Sequence, residues 1–280
     1  MSVLVDVGNS RMKWGLVRDH ALTQVVSLPL PESPDVVPDS WTEHVLLWQL
    51  PRGTTWVLSG TNPPALLVLQ NWLQTQGYRI WNVSNYREIP LRVEVDVPER
   101  VGIDRLLNAL AAIHRGPAGQ PKLIVDIGSA VTVDWVNPED TFCGGAIFPG
   151  FRLMSEALHR YTARLPLVSP VQNLPSLPAK NTESAIQAGM LAAIVGAVNW
   201  LLPKYLQGGT TWQPGLNEYS SSTADAPFEK MPSSPALKPV FYLTGGDAWL
   251  IRSYLNPDFI FWPEMTLEGL YLVAKSHSIE

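Results

Sequence analysis

A chain of 280 residues that is 46% hydrophobic and 16% charged can fill one large core or two ordinary ones, and at this length two lobes are expected. The formal net charge is -5, with Lys and Arg scattered rather than gathered in a run, which argues against a nucleic acid or an anionic membrane as partner. The single cysteine, Cys143, excludes an internal disulfide and a multi-thiolate metal site, and it fits a reducing compartment.

Met1-Ser2-Val3-Leu4-Val5-Asp6 has no basic stretch ahead of its apolar run, so we expect a first strand, no secretory signal and a cytoplasmic location. The apolar pattern resumes over Met12–Val17, which predicts a hairpin turning through Asp6 to Gly8. Prolines 29, 31, 34 and 38 predict a loop, followed by a short helix over 41–50. A buried strand over 56–60, a helix over 64–77 and a strand over 78–83 make a βαβ unit. Residues 104–114 are rich in helix formers and run into Gly116-Pro117-Ala118-Gly119, where the boundary between lobes 1–117 and 118–280 is expected.

The second half then repeats the opening. Lys122-Leu123-Ile124-Val125-Asp126-Ile127-Gly128-Ser129 has the pattern of Ser2-Val3-Leu4-Val5-Asp6-Val7-Gly8-Asn9, and another apolar strand, Val131–Val136, follows it. Internal duplication is the natural reading. The segment 185–202 is long and apolar enough for a membrane span, but Gln187 and Asn199 interrupt it, and no second candidate or basic anchor accompanies it. We expect a buried helix, whose small residues from Ala188 to Ala197 suit a domain or dimer interface. Residues 208–238, loaded with Gly, Pro, Ser and Thr, predict a long surface insertion. The core resumes at Val240–Leu243 and ends in Thr244-Gly245-Gly246-Asp247.

An acid at the end of an apolar strand, followed by glycine, has a physical use. Glycine lets backbone N–H groups approach phosphate oxygens, while the carboxylate holds a magnesium ion or its water on those phosphates. One such turn is an ordinary hairpin signal; two, at the starts of two similar halves, point to a nucleotide cleft with one phosphate loop from each. Gly245 and Gly246 would let a flat base lie against the backbone. The pair Asp104-Arg105, at a helix start, reads in two ways. It is either a cap with a surface ion pair, or a proton acceptor for a substrate hydroxyl beside a guanidinium that binds an acidic substrate.

The order of Asp-x-Gly, Asp-x-Gly and late Gly-Gly resembles the sugar kinase, Hsp70 and actin superfamily. Adding Gly102-Ile103-Asp104-Arg105, Asp126-Ile127-Gly128-Ser129-Ala130-Val131-Thr132 and Gly144-Gly145-Ala146-Ile147-Phe148-Pro149-Gly150 makes the sequence similar to type III pantothenate kinases over nearly its whole length. That resemblance implies an α/β fold of two duplicated ribonuclease H-like lobes, the actin-like ATPase fold, around a central nucleotide cleft. It implies ATP-dependent phosphorylation of pantothenate, with Mg2+ and a monovalent cation, K+ or NH4+, in a homodimer.

Carried onto this sequence, the resemblance makes Asp6, Val7, Gly8, Asn9, Ser10, Arg11, Met12 and Lys13 the first ATP phosphate segment. Asp6 is then a magnesium ligand through water. Ser129 contacts ATP where the family commonly has threonine, and Gly245 and Gly246 take the adenosine. Asp104 is the catalytic base; Gly102, Ile103, Asp104 and Arg105 contact pantothenate, with Arg105 on its carboxylate. Asp126 holds the monovalent cation. Thr182 reaches the substrate from the partner lobe or subunit, or caps the long helix, or does both. Val95 stands where the family often has a pocket-lining tyrosine, which leaves open a kinase for another small hydroxy acid, or a regulatory protein that keeps the cleft without catalysis.

Overall fold

The computed structural model describes residues 1–33, 36–206, 238–255 and 258–279. Of the expected insertion over 208–238, all but Lys238 lies outside the described residues. Eleven strands and seven α-helices alternate among those described. The first half holds β1 (Ser2–Val7), β2 (Met12–Arg18), β3 (Ala21–Leu28), α1 (Asp39–Leu47), β4 (Thr55–Gly60), α2 (Pro63–Thr75), β5 (Arg79–Asn82), β6 (Arg92–Val93) and α3 (Ile103–Arg115). The second holds β7 (Lys122–Ile127), β8 (Ala130–Val136), β9 (Thr141–Pro149), α4 (Phe151–Tyr161), α5 (Thr182–Leu206), β10 (Val240–Thr244), α6 (Ala248–Ile251), β11 (Phe259–Phe261) and α7 (Met265–Ser276).

The duplication is visible in the sheets. The first runs β3-β2-β1-β4-β5 and the second β11-β10-β7-β8-β9-β6, so β9-β8-β7-β10-β11 repeats the first order strand for strand. In both, the first three strands form an antiparallel meander and the next two add in parallel. This is the two-lobed actin-like fold expected from the paired Asp-x-Gly strands. The lobes we propose, 1–117 and 118–280, exchange two segments across the cut. β6 precedes the cut yet pairs with β9, while α7 follows it yet packs on α3, β1 and β4.

Strand alternation decides what each face sees. Val3, Val5 and Val7 point into a core under α1 and α2, and Leu123, Val125 and Ile127 point into an equivalent core under α4 and α5. Leu4 and Ile124 point the other way, into a third, central cluster built with α3 and α7. Asp6 and Asp126 share the parity of Leu4 and Ile124, so both acids emerge between the lobes. The strands are fixed in this register because each fully buried Val, Leu or Ile contributes about 1.5–3 kcal/mol, and a slip of one residue would exchange the two buried faces and turn Asp6 or Asp126 into an apolar core. In the first core Trp14 sits edge-on to Trp56 at 4.8 Å, with Trp41 and Trp72 each at 6.1 Å. These interlocked rings make that lobe a rigid support for the turn between β1 and β2.

The long helix α5 is apolar on all sides and long enough to cross a membrane. One face is buried: Ile186, Met190, Leu191, Ile194 and Val198 pack into the second core. The opposite face, with Ala185, Gly189, Ala192, Ala193, Gly196 and Trp200, is exposed. The expectation of a buried helix therefore holds for half its circumference. Its cap differs from the expected residue: the Ser184 N–H donates to Asn181 Oδ1 at 2.8 Å, and Thr182 is the first helical residue. Asn181→Ala should lower stability by about 1 kcal/mol in chemical denaturation, and Thr182→Ala should leave the cap intact.

Candidate active site

The inter-lobe cleft has a volume of about 620 Å³, the size of a pocket for a small organic ligand. Asp6 and Lys13 reach it from paired positions on β1 and β2, Asp126 from the end of β7, and Asp104 from the first turn of α3. Asp104 Oδ1 accepts the Arg105 backbone N–H at 2.9 Å, one of the unpaired amides of a helix start. Asp126 Oδ2 accepts from Asn108 Nδ2 at 2.9 Å, and Asn108 Oδ1 accepts from Thr266 Oγ1 at 2.8 Å. This chain ties β7, α3 and α7 together behind the cleft. Lys13 Nζ donates to the Pro263 carbonyl at 2.9 Å, which fixes the ammonium on the same side.

Three carboxylates with one ammonium among them are short of positive charge, and their proton affinities reflect it. Burial, then repulsion from Asp104 and Asp126, pushes Asp6 up to about 7 against the pull of Lys13. Burial and Asp104 push Asp126 up to about 6, opposed by Lys13 and the Asn108 hydrogen bond. Burial also raises Asp104, while its backbone hydrogen bonds and Arg105 pull it down. Such a cluster suits cations. Among the described residues no group of three or more His, Cys, Asp or Glu can hold a metal ion by itself, so Mg2+ here would take most of its ligands from phosphate oxygens and water. The donor set fits that arrangement.

The two phosphate-loop candidates face each other. The Gly8 N–H donates to the Arg11 carbonyl at 3.1 Å, the Gly128 N–H to the Ala130 carbonyl at 3.0 Å, and the hydroxyls of Ser10 and Ser129 meet at 2.5 Å across the cleft. The third loop closes beside them: the Asp247 N–H donates to the Ile127 carbonyl at 3.0 Å, and Arg11 lies over Gly246, 3.5 Å from Asp247. Gly245 has φ +102, and a Cβ there would sit 2.5 Å from Asp126 Oδ1 and 2.4 Å from the Ile127 carbonyl. No other residue fits without moving the loop.

Of the residues singled out in the sequence, Asp6, Gly8, Asn9, Ser10, Arg11, Lys13, Gly102, Asp104, Arg105, Asp126, Ser129, Gly245 and Gly246 line this cleft. Val7 and Met12 do not: alternation turns both side chains into the first core, where the Trp14 indole N–H donates to Met12 Sδ. Ile103 and Val95 pack against the central cluster rather than the cleft. Thr182, exposed at the start of α5, is also absent from the lining of this single chain.

Arg105, expected to meet the carboxylate of an acidic substrate, is already engaged by a carboxylate of its own chain. It is mostly buried and held side-on by Asp134, with Nε 3.0 and 3.2 Å from the two carboxylate oxygens and Nη2 closer still to Oδ1. Asp134 and Asn108 went unmarked in the sequence; the signal for Asp134 was a lone acid inside the apolar run Val131–Val136. The surface ion pair entertained for Asp104-Arg105 is replaced by this buried one.

The sequence model of the type III pantothenate kinase family matches residues 2–203. The chain belongs to that family. It is 32% identical over 201 residues to the type III pantothenate kinase of Persephonella marina, covering 72% of this chain and 68% of that one. Against that of Bacillus cytotoxicus it is 32% identical over 189 residues, covering 68% and 61%. Against that of Rhodopirellula baltica it is 41% identical over 124 residues, covering 43% and 45%. Two of these three matches thus span less than two thirds of the relative's length. The fold is shared with the activator of 2-hydroxyisocaproyl-CoA dehydratase from Clostridium difficile, solved with ADPNP. That likeness has a TM-score of 0.51 at 11% identity, over 99% of this chain and 96% of that one. It is also shared with component A of (R)-2-hydroxyglutaryl-CoA dehydratase from Acidaminococcus fermentans, at TM-score 0.51 and 12% identity over 100% and 99%. As a member of the type III pantothenate kinase family the chain is an ATP-using phosphotransferase.

Proposed function

We infer that this kinase phosphorylates pantothenate to 4'-phosphopantothenate with ATP, the first step of coenzyme A biosynthesis, and that the cleft residues divide the work as follows. Asp104 accepts the proton of the attacking hydroxyl. Lys13 and the N–H groups of the two Asp-x-Gly turns bind the phosphates, with Ser10 and Ser129 on either side. Gly245 and Gly246 form the floor for the adenosine, and Arg11 moves aside to admit it. Asp6 holds Mg2+ through water, and Asp126 holds K+ or NH4+. These cations supply charge neutralisation on the transferring phosphoryl group. Gly102 and Arg105 take the acidic end of pantothenate.

The observation that carries this reading is the convergence of Asp6, Asp104, Asp126 and Lys13 beneath two facing turns from duplicated strands. Coupled ADP release tests it: release should require pantothenate, and K+ should support it better than Na+. ADP appearing at the same rate without pantothenate would overturn the substrate. A second reading, another small hydroxy acid as substrate, draws on Val95, which brings no hydroxyl and lies outside the cleft lining. A panel of hydroxy acids that ranks pantothenate first removes it.

We further propose a cytoplasmic homodimer joined through the exposed small-residue face of α5, with Thr182 of each chain brought to the other's cleft. An apolar helix with one face uncovered favours a second copy as cover, because Gly189 and Gly196 have open space where a side chain would stand. Gly189→Leu should shift sedimentation from dimer to monomer, and a wild type that sediments as a monomer would refute the dimer.

A further inference from the structure

An acid in the middle of an apolar strand is costly to bury, and β8 accommodates one by surrounding it. Val131 and Val133 face the second core, while Thr132 and Asp134 occupy the opposite face of the strand. Asp134 is fully buried, and its Oδ2 accepts the Thr132 hydroxyl at 3.0 Å. Its partner across the sheet is Gly145 of β9. A Cβ there would stand 2.5 Å from Asp134 Oδ1, so the glycine makes the room that the carboxylate occupies. The Arg105 guanidinium fills the rest of the socket, with its Cζ 5.5 Å from the centre of the Phe142 ring.

A guanidinium offers two edges that fit a carboxylate, Nε with Nη2 and Nη1 with Nη2. Asp134 takes the first. Among the described residues Nη1 has no hydrogen-bond partner, and Arg105 lines the cleft whereas Asp134 does not. Buried pairs of this kind are often no more stabilising than well-packed apolar residues, so the pair is weak evidence of a purely structural role. We propose that Asp134 is a positioning residue for substrate selection: it grips one edge of Arg105 so that the other edge is presented, pre-oriented, to the carboxylate of the substrate.

This rests on the reading of Arg105 as the carboxylate ligand, and the test separates the two. kcat/KM is measured for pantothenate and for panthenol, its alcohol analogue without the carboxylate, in wild type, Asp134→Asn, Arg105→Lys and the double variant. In wild type pantothenate should be preferred; equal use of the two would overturn the role of Arg105 itself. Asp134→Asn should raise the pantothenate KM about ten- to a hundredfold and shrink the preference by a similar factor, with the KM for ATP changed little. In the Arg105→Lys background Asp134→Asn should shrink the preference no further, because its effect passes through the arginine. An Asp134→Asn enzyme that keeps the wild-type preference, or loses pantothenate and panthenol turnover equally, would overturn the proposal. Should Asp134→Asn fail to fold, Thr132→Val withdraws one hydrogen bond from the carboxylate and is judged by the same ratio: a preference partly lost supports the proposal and one fully kept overturns it.

Discussion

Asp104→Asn is expected to lower kcat by about 10²–10⁴-fold, the range that a positioned general base supplies, while leaving the KM values for ATP and pantothenate within a few-fold. The amide is close in shape and keeps an oxygen that can accept the Arg105 N–H, so the start of α3 should be preserved and the variant should fold. What it lacks is the capacity to accept a proton as the hydroxyl attacks. Because burial raises the Asp104 carboxyl above its ordinary range, the wild-type rate should fall as pH is lowered through that raised value, where the base becomes protonated. The residual activity of the Asn variant should lose the part of this acid limb that Asp104 contributes. A variant that retained full kcat would remove Asp104 from the chemistry and leave the cleft with positioning and cations alone.

That Asp104 stands out in the sequence, whereas Asp134 does not, follows from the kind of signal each leaves. Asp6 and Asp126 end apolar strands two residues before a glycine, Gly245 follows another such strand, and Asp104 opens a run of helix formers, so each marks the end or start of an element from local sequence alone. The hairpin of β1 and β2, the βαβ unit of β4, α2 and β5, and the duplicated start at β7 and β8 were legible for the same reason. The strand β3 was not: Ala21–Leu28 lies on the sheet edge with only one residue fully buried, so its apolar alternation is weak. Nor was α7, although it helps build the central cluster. Its partners α3, β1 and β4 all lie in the first half of the chain, and nothing local in Met265–Ser276 names them. Asn108 and Asp134 belong to the same class. Their roles are set by what the fold brings to them, Thr266 and Asp126 for one and Arg105 for the other. Val7 and Met12 fail in the opposite direction: they stand inside the first phosphate motif, yet strand parity sends both side chains to the core.

Asp6→Asn should separate stability from function in opposite directions. Removing the carboxylate that we assign to the magnesium water shell should reduce kcat/KM for ATP by about 10²-fold or more, an effect comparable to losing one preorganised charge contact on the transition state. The nucleotide-free protein should nevertheless become more stable at pH 8. In the folded chain Asp6 titrates near 7, against about 3.9 for an unfolded aspartate, so between these values the native state holds more protons than the unfolded one. Stability attributable to Asp6 is therefore fully present below about pH 4 and is lost as pH rises through 7, where its buried charge must be borne. Asparagine carries no such penalty. Its advantage should be absent near pH 4, grow through pH 4–7 by about 1.4 kcal/mol for each pH unit crossed, and level off above pH 7 at on the order of 4 kcal/mol. Part of the wild-type slope should survive in the variant, since Asp126, near 6, titrates in the same cluster. Urea denaturation of both proteins from pH 4 to pH 9 measures the difference. Repeating it with Mg2+ and ATP should reverse the order, because ligands that bind only the folded state stabilise it by mass action and the wild type binds them more tightly. A variant less stable than wild type at pH 8 without ligands would mean that the Asp6 carboxylate is well compensated by Lys13, and the cleft would then have no electrostatic need of a cation at that position.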